Sequence, residues 1–148
     1  MAKIEQSLVN GALAHGAEFG PNPSPSAPLS AVLWQPGQIT AGEEQLVSAM
    51  MRNAGLTSHA AEMGLGQADY LSLEQMLANP PDVLIVAGET RGQSHPALAE
   101  LEDTFHAALP ANMLYCGGPT IPRLAGALAQ IKADATKQKT GQEKVAKQ

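Results

Sequence analysis

The segment that most constrains the fold is a short, wholly apolar run in the middle of the chain. Residues 83–86 read Val-Leu-Ile-Val and follow Pro80 and Pro81, which would end any preceding helix. A run without polar alternation is typical of a strand buried on both faces of a parallel sheet. Because parallel strands are joined by crossover connections, usually helices, this segment favours an α/β fold.

Extended and helical patterns alternate on both sides of this strand. Segments 30–34 and 113–115 are also short apolar runs, and a further strand has only a weak signal within 59–63. Helices are predicted from a capping box at Thr40 to a left-handed cap at Gly55, from Ser72 to Asn79, from 96 to about 109, and from 121 to about 133. The prediction is an α/β fold, a three-layer Rossmann-like sandwich with a small, mainly parallel sheet.

Composition divides the chain into four parts. Residues 1–16 have apolar residues at helical spacing, and residues 17–29 form a proline-rich connector. Residues 30–132 form the globular part, and residues 133–148 are a polar, lysine-containing tail that is predicted to be disordered. With 148 residues, 44% of them hydrophobic, one folded core is expected.

Charge and cysteine usage exclude several functions. The first 132 residues carry a net charge of −7 and the last sixteen +2, so a phosphate-neutralising surface for nucleic acid is not expected. The single cysteine rules out an internal disulfide or a multi-cysteine metal site. The sequence has no run of membrane-spanning length, and residues 1–5 lack the apolar core of a signal peptide. If the protein is exported, we expect its signal on residues missing from this chain.

In an open parallel sheet, ligands bind outside the carboxyl ends of the strands, which here are followed by loops 34–42, 88–94 and 116–120. Trp34 could offer a flat surface to a macrocycle or catecholate, or could simply be a tryptophan at the edge of the core. Arg91 could bind an anionic chelate through its fork of donors, or could pair with Glu89.

Patterns for enzyme chemistry are weak. Cys116 precedes a predicted helix, where a thiolate would be favoured, but Arg123 is one position too late for a thiol-phosphatase loop. The histidines at 59, 95 and 106 are far apart and give no zinc motif, and His95 is expected to be structural. No dinucleotide or phosphate-binding glycine motif is complete. We therefore predict neither a catalytic residue nor a metal or cofactor.

Several segments in this order resemble the C-terminal lobe of solute-binding proteins in which a rigid helix joins two lobes. The resemblance covers about residues 30–132. The segments that carry it are Thr40-Ala41-Gly42 with Ala54-Gly55; residues 70–77 (Tyr-Leu-Ser-Leu-Glu-Gln-Met-Leu) running through Asn79-Pro80-Pro81-Asp82-Val83-Leu84-Ile85; Ser94-His95-Pro96-Ala97-Leu98; and Cys116-Gly117-Gly118-Pro119. This family serves ABC importers of ferric siderophores, haem and cobalamin. The resemblance implies a periplasmic ligand carrier rather than an enzyme, with residues 1–16 as the end of the inter-lobe helix and the N-terminal lobe missing.

The resemblance also implies roles for particular residues. Each lobe of this family docks onto arginines of the membrane permease through a glutamate that starts a short helix, a place held here by Glu74. The ligand-binding wall is assigned to seven residues: Trp34, Thr40, Arg91, Gln93, Cys116, Gly117 and Gly118. Two other interpretations remain open, a small Rossmann-like enzyme using Cys116 and an autonomous protein-interaction domain.

Overall fold

The computed structural model describes residues 26–88, 95–115 and 118–148. Within them five strands form one sheet: β1 Leu29–Gln35, β2 Ile39–Thr40, β3 Leu56–Ser58, β4 Val83–Ala87 and β5 Phe105–Leu109. Strands β3, β1, β4 and β5 lie in that order and are parallel. The two-residue strand β2 turns back antiparallel to the carboxyl end of β1, on the same side as β3.

Helices cover both faces of this sheet. They are α1 Leu46–Asn53, α2 His59–Glu62, α3 Leu73–Ala78, a 3₁₀ helix Pro96–Glu100, α4 Asn112–Tyr115 and α5 Thr120–Ala146. On one face, α1 and α5 pack with alternate strand residues such as Leu33 and Ile85 to form the first core. On the other, α3 and the 3₁₀ helix pack against Val32, Trp34 and Leu84 to form the second core. The predicted three-layer α/β sandwich with a mainly parallel sheet is confirmed.

Two of the predicted elements have the expected local chemistry. Ser72 and Gln75 form a reciprocal capping box at the start of α3, and Asn79 ends that helix. Gly55 has a φ of +87°, as expected for the left-handed residue after α1, and its N–H donates to the carbonyl of Arg52.

The predicted start of α1 is wrong. Thr40 lies in β2 with its side chain buried, and its hydroxyl donates to the carbonyl of Asp69 at 3.4 Å. The helix begins at Leu46, after Gln45, and has no side-chain cap. The Thr40 spacing resembled a capping box, but pairing of β2 with β1 keeps Thr40 in an extended conformation.

The last parallel strand was also predicted in the wrong place. Segment 105–109, predicted as the end of a helix, is β5, whereas Met113 to Tyr115 form the short helix α4 instead of a strand. Leu98, Leu101 and Phe105 have helical spacing, but the 3₁₀ helix ends at Glu100 and the chain then pairs with β4. The weak strand signal within 59–63 is likewise displaced, because β3 ends at Ser58 and residues 59–62 are helical.

The predicted disordered tail is helical. Helix α5 continues to Ala146, well beyond the predicted end near residue 133. Its buried stripe of Leu124, Leu128 and Ile131 extends to Ala135, and Lys139 pairs with Asp82 at 2.8 Å. Ala, Lys, Gln and Glu, which dominate the tail, are good helix formers, so a packed first half lets the helix propagate through it.

Candidate functional site

The carboxyl edge of the sheet is where the topology favours a ligand site. After β1 the chain passes to β3 on one side, and after β4 it passes to β5 on the other. Such a reversal between neighbouring parallel strands leaves a crevice outside their carboxyl ends. The switch point here lies between β1 and β4.

Three connections come together at this edge. The turn after β1 contains Pro36 and Gly37, with a φ of +81° at Gly37, and is closed by a bond from the N–H of Gln38 to the carbonyl of Gln35 at 3.1 Å. Gly88, which follows β4, has a φ of +87°, and a Cβ there would lie 3.1 Å from Pro36 Cγ and 3.8 Å from Ala111 Cβ. The ends of β1 and β4 and the start of α4 are therefore in contact, and Gly88 permits that approach.

A cleft of about 240 Å³, lined mainly by apolar side chains, opens at the same edge, on the face of the first core. It lies between the end of β1, the first turns of α1 and α5, and α4. Its apolar lining includes Leu33, Val47, Met50, Met113, Ile121 and Leu124. Gln35 and Gln45 also line it, and glutamine side-chain amides can both donate and accept hydrogen bonds. This cleft is suited to an apolar group that carries a few polar substituents.

A second, shallower groove of about 470 Å³ lies beside the 3₁₀ helix and the start of β5, near Leu98, Phe105 and His106. Although it is larger, it lies towards the amino ends of the strands, far from the switch point. We therefore take the carboxyl-edge cleft as the candidate site.

Trp34 does not line this cleft. Its side chain is fully buried in the second core, on the opposite face of the sheet, and its indole N–H donates to the carbonyl of Leu71 at 3.1 Å. The prediction that the indole faces a ligand is wrong, and the core interpretation is correct. Thr40 is equally buried and reaches no surface from which it could contact a ligand.

Four of the predicted ligand-binding residues, Arg91, Gln93, Cys116 and Gly117, lie outside the described residues. So do the predicted helix within 1–16 and most of the connector 17–29. Gly118 is described: it is exposed, has a φ of +71°, and its carbonyl accepts from the N–H of Ile121 at 3.1 Å. Its role in ligand binding stays a prediction.

Sequence reasoning missed three residues that the structure exposes at this edge. Ile39, Leu46 and Tyr70 are 37%, 63% and 59% exposed. Leu46 lines the cleft, and Ile39 forms an antiparallel bridge with Tyr70. The scarcity of aromatic residues was the one sequence feature that could have marked Tyr70 as a candidate site residue. Nothing in the neighbouring sequence indicated which way its ring would point.

Glu74 occupies the first turn of α3, in the layer that covers the second core, and is exposed to solvent. Its carboxylate accepts hydrogen bonds from its own backbone N–H and from the Ser72 hydroxyl, and these bonds lower its pKa. Nearby His95 acts in the same direction. Glu74 is therefore a charged, solvent-facing group held at a helix start.

The described histidines have structural partners. His95 caps the 3₁₀ helix, its Nδ1 accepting from the N–H of Ala97 at 3.1 Å, as expected for a structural residue. Buried His59 contacts the carbonyl of Asn79 at 2.8 Å through Nε2, and His106 contacts that of Leu101 at 3.3 Å. In the described part of the chain, no three His, Cys, Asp or Glu side chains are grouped as metal ligands.

The amino edge of the sheet is stabilised by a polar network. The Asp82 carboxylate accepts from the Ser30 N–H at 2.9 Å and from its hydroxyl at 3.1 Å, while Lys139 pairs with its other oxygen. Lys132 is buried and donates to the carbonyl of Ala27 at 2.6 Å. Burial lowers the pKa of Lys132, although the nearby Asp82 charge opposes this.

The fold is similar to about half of each of two periplasmic heme-binding proteins. No protein-family model matches the sequence, and no curated protein sequence matches it. The heme-binding protein BhuT, solved with two hemes, is 23% identical and superposes with a TM-score of 0.56 over 76% of this chain and 47% of its own. The heme-binding protein RhuT from Roseiflexus sp. RS-1, solved in apo form, is 22% identical, with a TM-score of 0.54 over 77% of this chain and 48% of its own.

The chain thus spans about half the length of these two structures. The resemblance predicted from sequence, to one lobe of a two-lobed binding protein, is confirmed at the level of the fold. Within the described residues, no helix is both long and apolar enough to cross a membrane.

Proposed function

We propose that this chain is one lobe of the periplasmic solute-binding component of an ABC importer. In this proposal it binds a metal chelate, such as a ferric siderophore, haem or cobalamin, between itself and a second lobe. The observation that carries the proposal is the apolar cleft at the switch point of a lobe that has the fold of heme-binding proteins. Binding and release are sufficient for this role, so no catalytic residue is required.

The size of the cleft supports a shared site. Pockets for small molecules usually measure about 300–1,000 Å³ and bury most of the ligand. At about 240 Å³, the cleft is too small for a complete metal chelate but large enough for one side of it. The rest of the ligand would contact the second lobe. Residues 1–29, which include the predicted helix within 1–16 and the predicted connector 17–29, would link that lobe to this one.

The loops that follow β4 and precede α5 supply the remaining proposed contacts. Arg91 and Gln93 would offer donors to the oxygens of an anionic chelate, and residues 116–118 would bring backbone groups close to it. Since Trp34 and Thr40 are buried, their part would be to hold β1 and β2 in place below the ligand.

Binding by this lobe is tested by titrating the 148-residue chain with haemin, ferrioxamine B and cyanocobalamin, using calorimetry and the visible absorbance of each compound. We expect at least one compound to bind with a dissociation constant of roughly 10–100 μM, weak because only one wall is present. Met113→Lys, which places a charge in the cleft, should abolish this binding while the protein stays folded. If none of the three compounds binds up to millimolar concentration, the proposal is wrong.

Glu74 is proposed to dock on an arginine of the permease. Its exposure, its position at the start of α3 and its negative charge, which the local hydrogen bonds further stabilise, all suit a contact with a cationic partner. The test is the ATPase activity of the importer reconstituted with the complete binding protein. Glu74→Lys should reduce stimulation at least tenfold, whereas Glu100→Lys, at another exposed carboxylate of the same layer, should not. Equal effects of the two variants would contradict a specific role of Glu74 in docking on the permease.

A further inference from the structure

Three residues form a row across the carboxyl edge of the sheet. Gln35 at the end of β1 is paired with Ile39 of β2, and Ile39 is paired with Tyr70. Hydrogen bonds of 2.9 Å flank the second pair, from the N–H of Thr40 to the carbonyl of Asp69 and from the N–H of Leu71 to the carbonyl of Gln38. This pattern defines a non-hydrogen-bonded antiparallel pair, in which the two side chains lie close together on one face.

That face is the one that carries the cleft. Side chains alternate along a strand, so Gln35 lies on the same face as Leu33, and both line the cleft. Their neighbours Trp34, Thr40 and Leu71 are fully buried on the opposite face. Gln35, which lines the cleft, is thus paired with Ile39, which is paired with Tyr70, and the three side chains lie on the same face of the sheet.

The exposure of this pair is unusual for the chain. Among the described residues, four large hydrophobic side chains are exposed, and three of them are Ile39, Leu46 and Tyr70 at this edge. The fourth, Val145, lies near the end of α5, away from the sheet. Grouped apolar exposure beside a cleft marks a binding surface more often than scattered exposure does.

We infer that Ile39 and Tyr70 form a platform on which the flat, conjugated face of the bound solute rests. The inference rests on the proposed function and gives this surface the role that the sequence assigned to Trp34. A tyrosine ring offers a broad apolar face to such a ligand and keeps its hydroxyl near water. The amides of Gln35 and Gln45 lie beside the platform and in the cleft, where they can bind polar substituents of the solute.

The platform is separate from the proposed permease contact. Helix α3, which carries Glu74, packs through Met76 on the second core, whereas the platform lies on the face of the first core. Substitution of Tyr70 should therefore change solute binding without changing docking.

The test compares Tyr70→Ala with Tyr70→Phe and with Val145→Ala, which removes an exposed apolar side chain elsewhere. Each variant is titrated with haemin and cyanocobalamin, which have flat conjugated faces, and with ferrioxamine B, which has none. Tyr70→Ala should weaken binding of a flat-faced compound about tenfold, while Tyr70→Phe and Val145→Ala bind as the original chain does. Circular dichroism and thermal unfolding confirm that each variant is folded, as expected for changes at exposed side chains.

The outcomes separate the two proposals. If the original chain binds a flat-faced compound and Tyr70→Ala binds it equally well, the platform is disproved and the proposed function stands. If only ferrioxamine B binds, the solute class inferred from the platform is wrong, although the chain is still a chelate-binding lobe. If no compound binds, the proposed function fails and the platform fails with it.

Discussion

Trp34 donates its indole N–H to the carbonyl of Leu71 at 3.1 Å, and both residues are completely buried. This bond joins the carboxyl end of β1 to the segment that leads into α3. The only tryptophan of the chain therefore reports on the second core and not on the surface of the cleft.

Trp34 fluorescence should show this burial directly. We expect an emission maximum at short wavelength and weak quenching by acrylamide. The maximum should move to the wavelength typical of an exposed indole only when the protein unfolds. Trp34→Phe should lower the free energy of unfolding by about 1–3 kcal/mol, because it leaves the Leu71 carbonyl without its donor and opens a small cavity. Emission typical of an exposed indole in the folded protein would contradict the burial.

Substitution of Gly42 tests the close packing of the segment after β2 against the backbone of Gln67, near the candidate site. A Cβ at this position would lie 2.6 Å from Gln67 Cα and 2.7 Å from its nitrogen, and backbone atoms cannot move away cheaply. Gly42→Ala should therefore destabilise the protein by about 2 kcal/mol or more in urea unfolding. In Gly126→Ala, a Cβ on helix α5 meets nothing within 4 Å, so this control should be stabilising by about 0.5–1 kcal/mol. Similar destabilisation in both variants would mean that Gly42 does not lie close to the backbone of Gln67.

The elements that could be predicted are those with strong local signals. Strand β4 is a pure apolar run behind two prolines, and α3 begins with a complete capping box. Strand β5 could not be recognised, because Ala107 and Ala108 blur its alternation and the spacing of Leu98, Leu101 and Phe105 imitates a helix. Its strand state depends on pairing with β4, which is a tertiary interaction.

The position of the candidate site could be predicted from the sequence, but the side chains that line it could not. The alternation of strands and helices places it at the carboxyl edge, yet a shift of one residue decides which face a side chain occupies. Trp34 points into the second core, and its neighbour Gln35 lines the cleft. Tyr70 reaches this edge through a bridge to Ile39, a contact between segments 31 residues apart that has no local sequence signal.

Substitutions of Lys132 test whether the buried alkyl stem or the charged ammonium of this lysine contributes more to the free energy of unfolding. Its Cε would lie 3.1 Å from a Cβ at Gly55, and its ammonium donates to the Ala27 carbonyl at 2.6 Å. Lys132→Ala should cost about 2 kcal/mol or more, because it removes the packed stem. Lys132→Met keeps most of that packing and avoids burying a charge, so its cost should stay below about 1 kcal/mol. Equal losses in urea unfolding would show that the hydrogen bond, rather than the stem, is decisive.

Asp82 should make the stability of the protein depend on pH. Partial burial by itself would raise the pKa of Asp82, but hydrogen bonds from Lys139 and from the Ser30 N–H and hydroxyl, together with the Lys139 charge, outweigh it and lower the pKa. A carboxyl whose pKa is lower in the folded state stabilises the protein above its unfolded value of about 3.9. That contribution is lost as the pH falls through the folded pKa.

Asp82→Asn should therefore be less stable than the original chain at pH 7, and this difference should shrink when the pH falls below about 4. Because the Asp82 side chain is 36% exposed and Lys139 51% exposed, solvent screening should limit the ion-pair part of the difference to about 1 kcal/mol or less. Asp134→Asn, at a carboxylate that is 42% exposed and lies 3.7 Å from Lys137, is the matched control and should change stability by less than about 0.5 kcal/mol. Urea unfolding of the three proteins between pH 3 and 7 provides the measurement. A difference between Asp82→Asn and the original chain that stays constant over this range would show that the carboxylate charge does not stabilise the amino edge of the sheet.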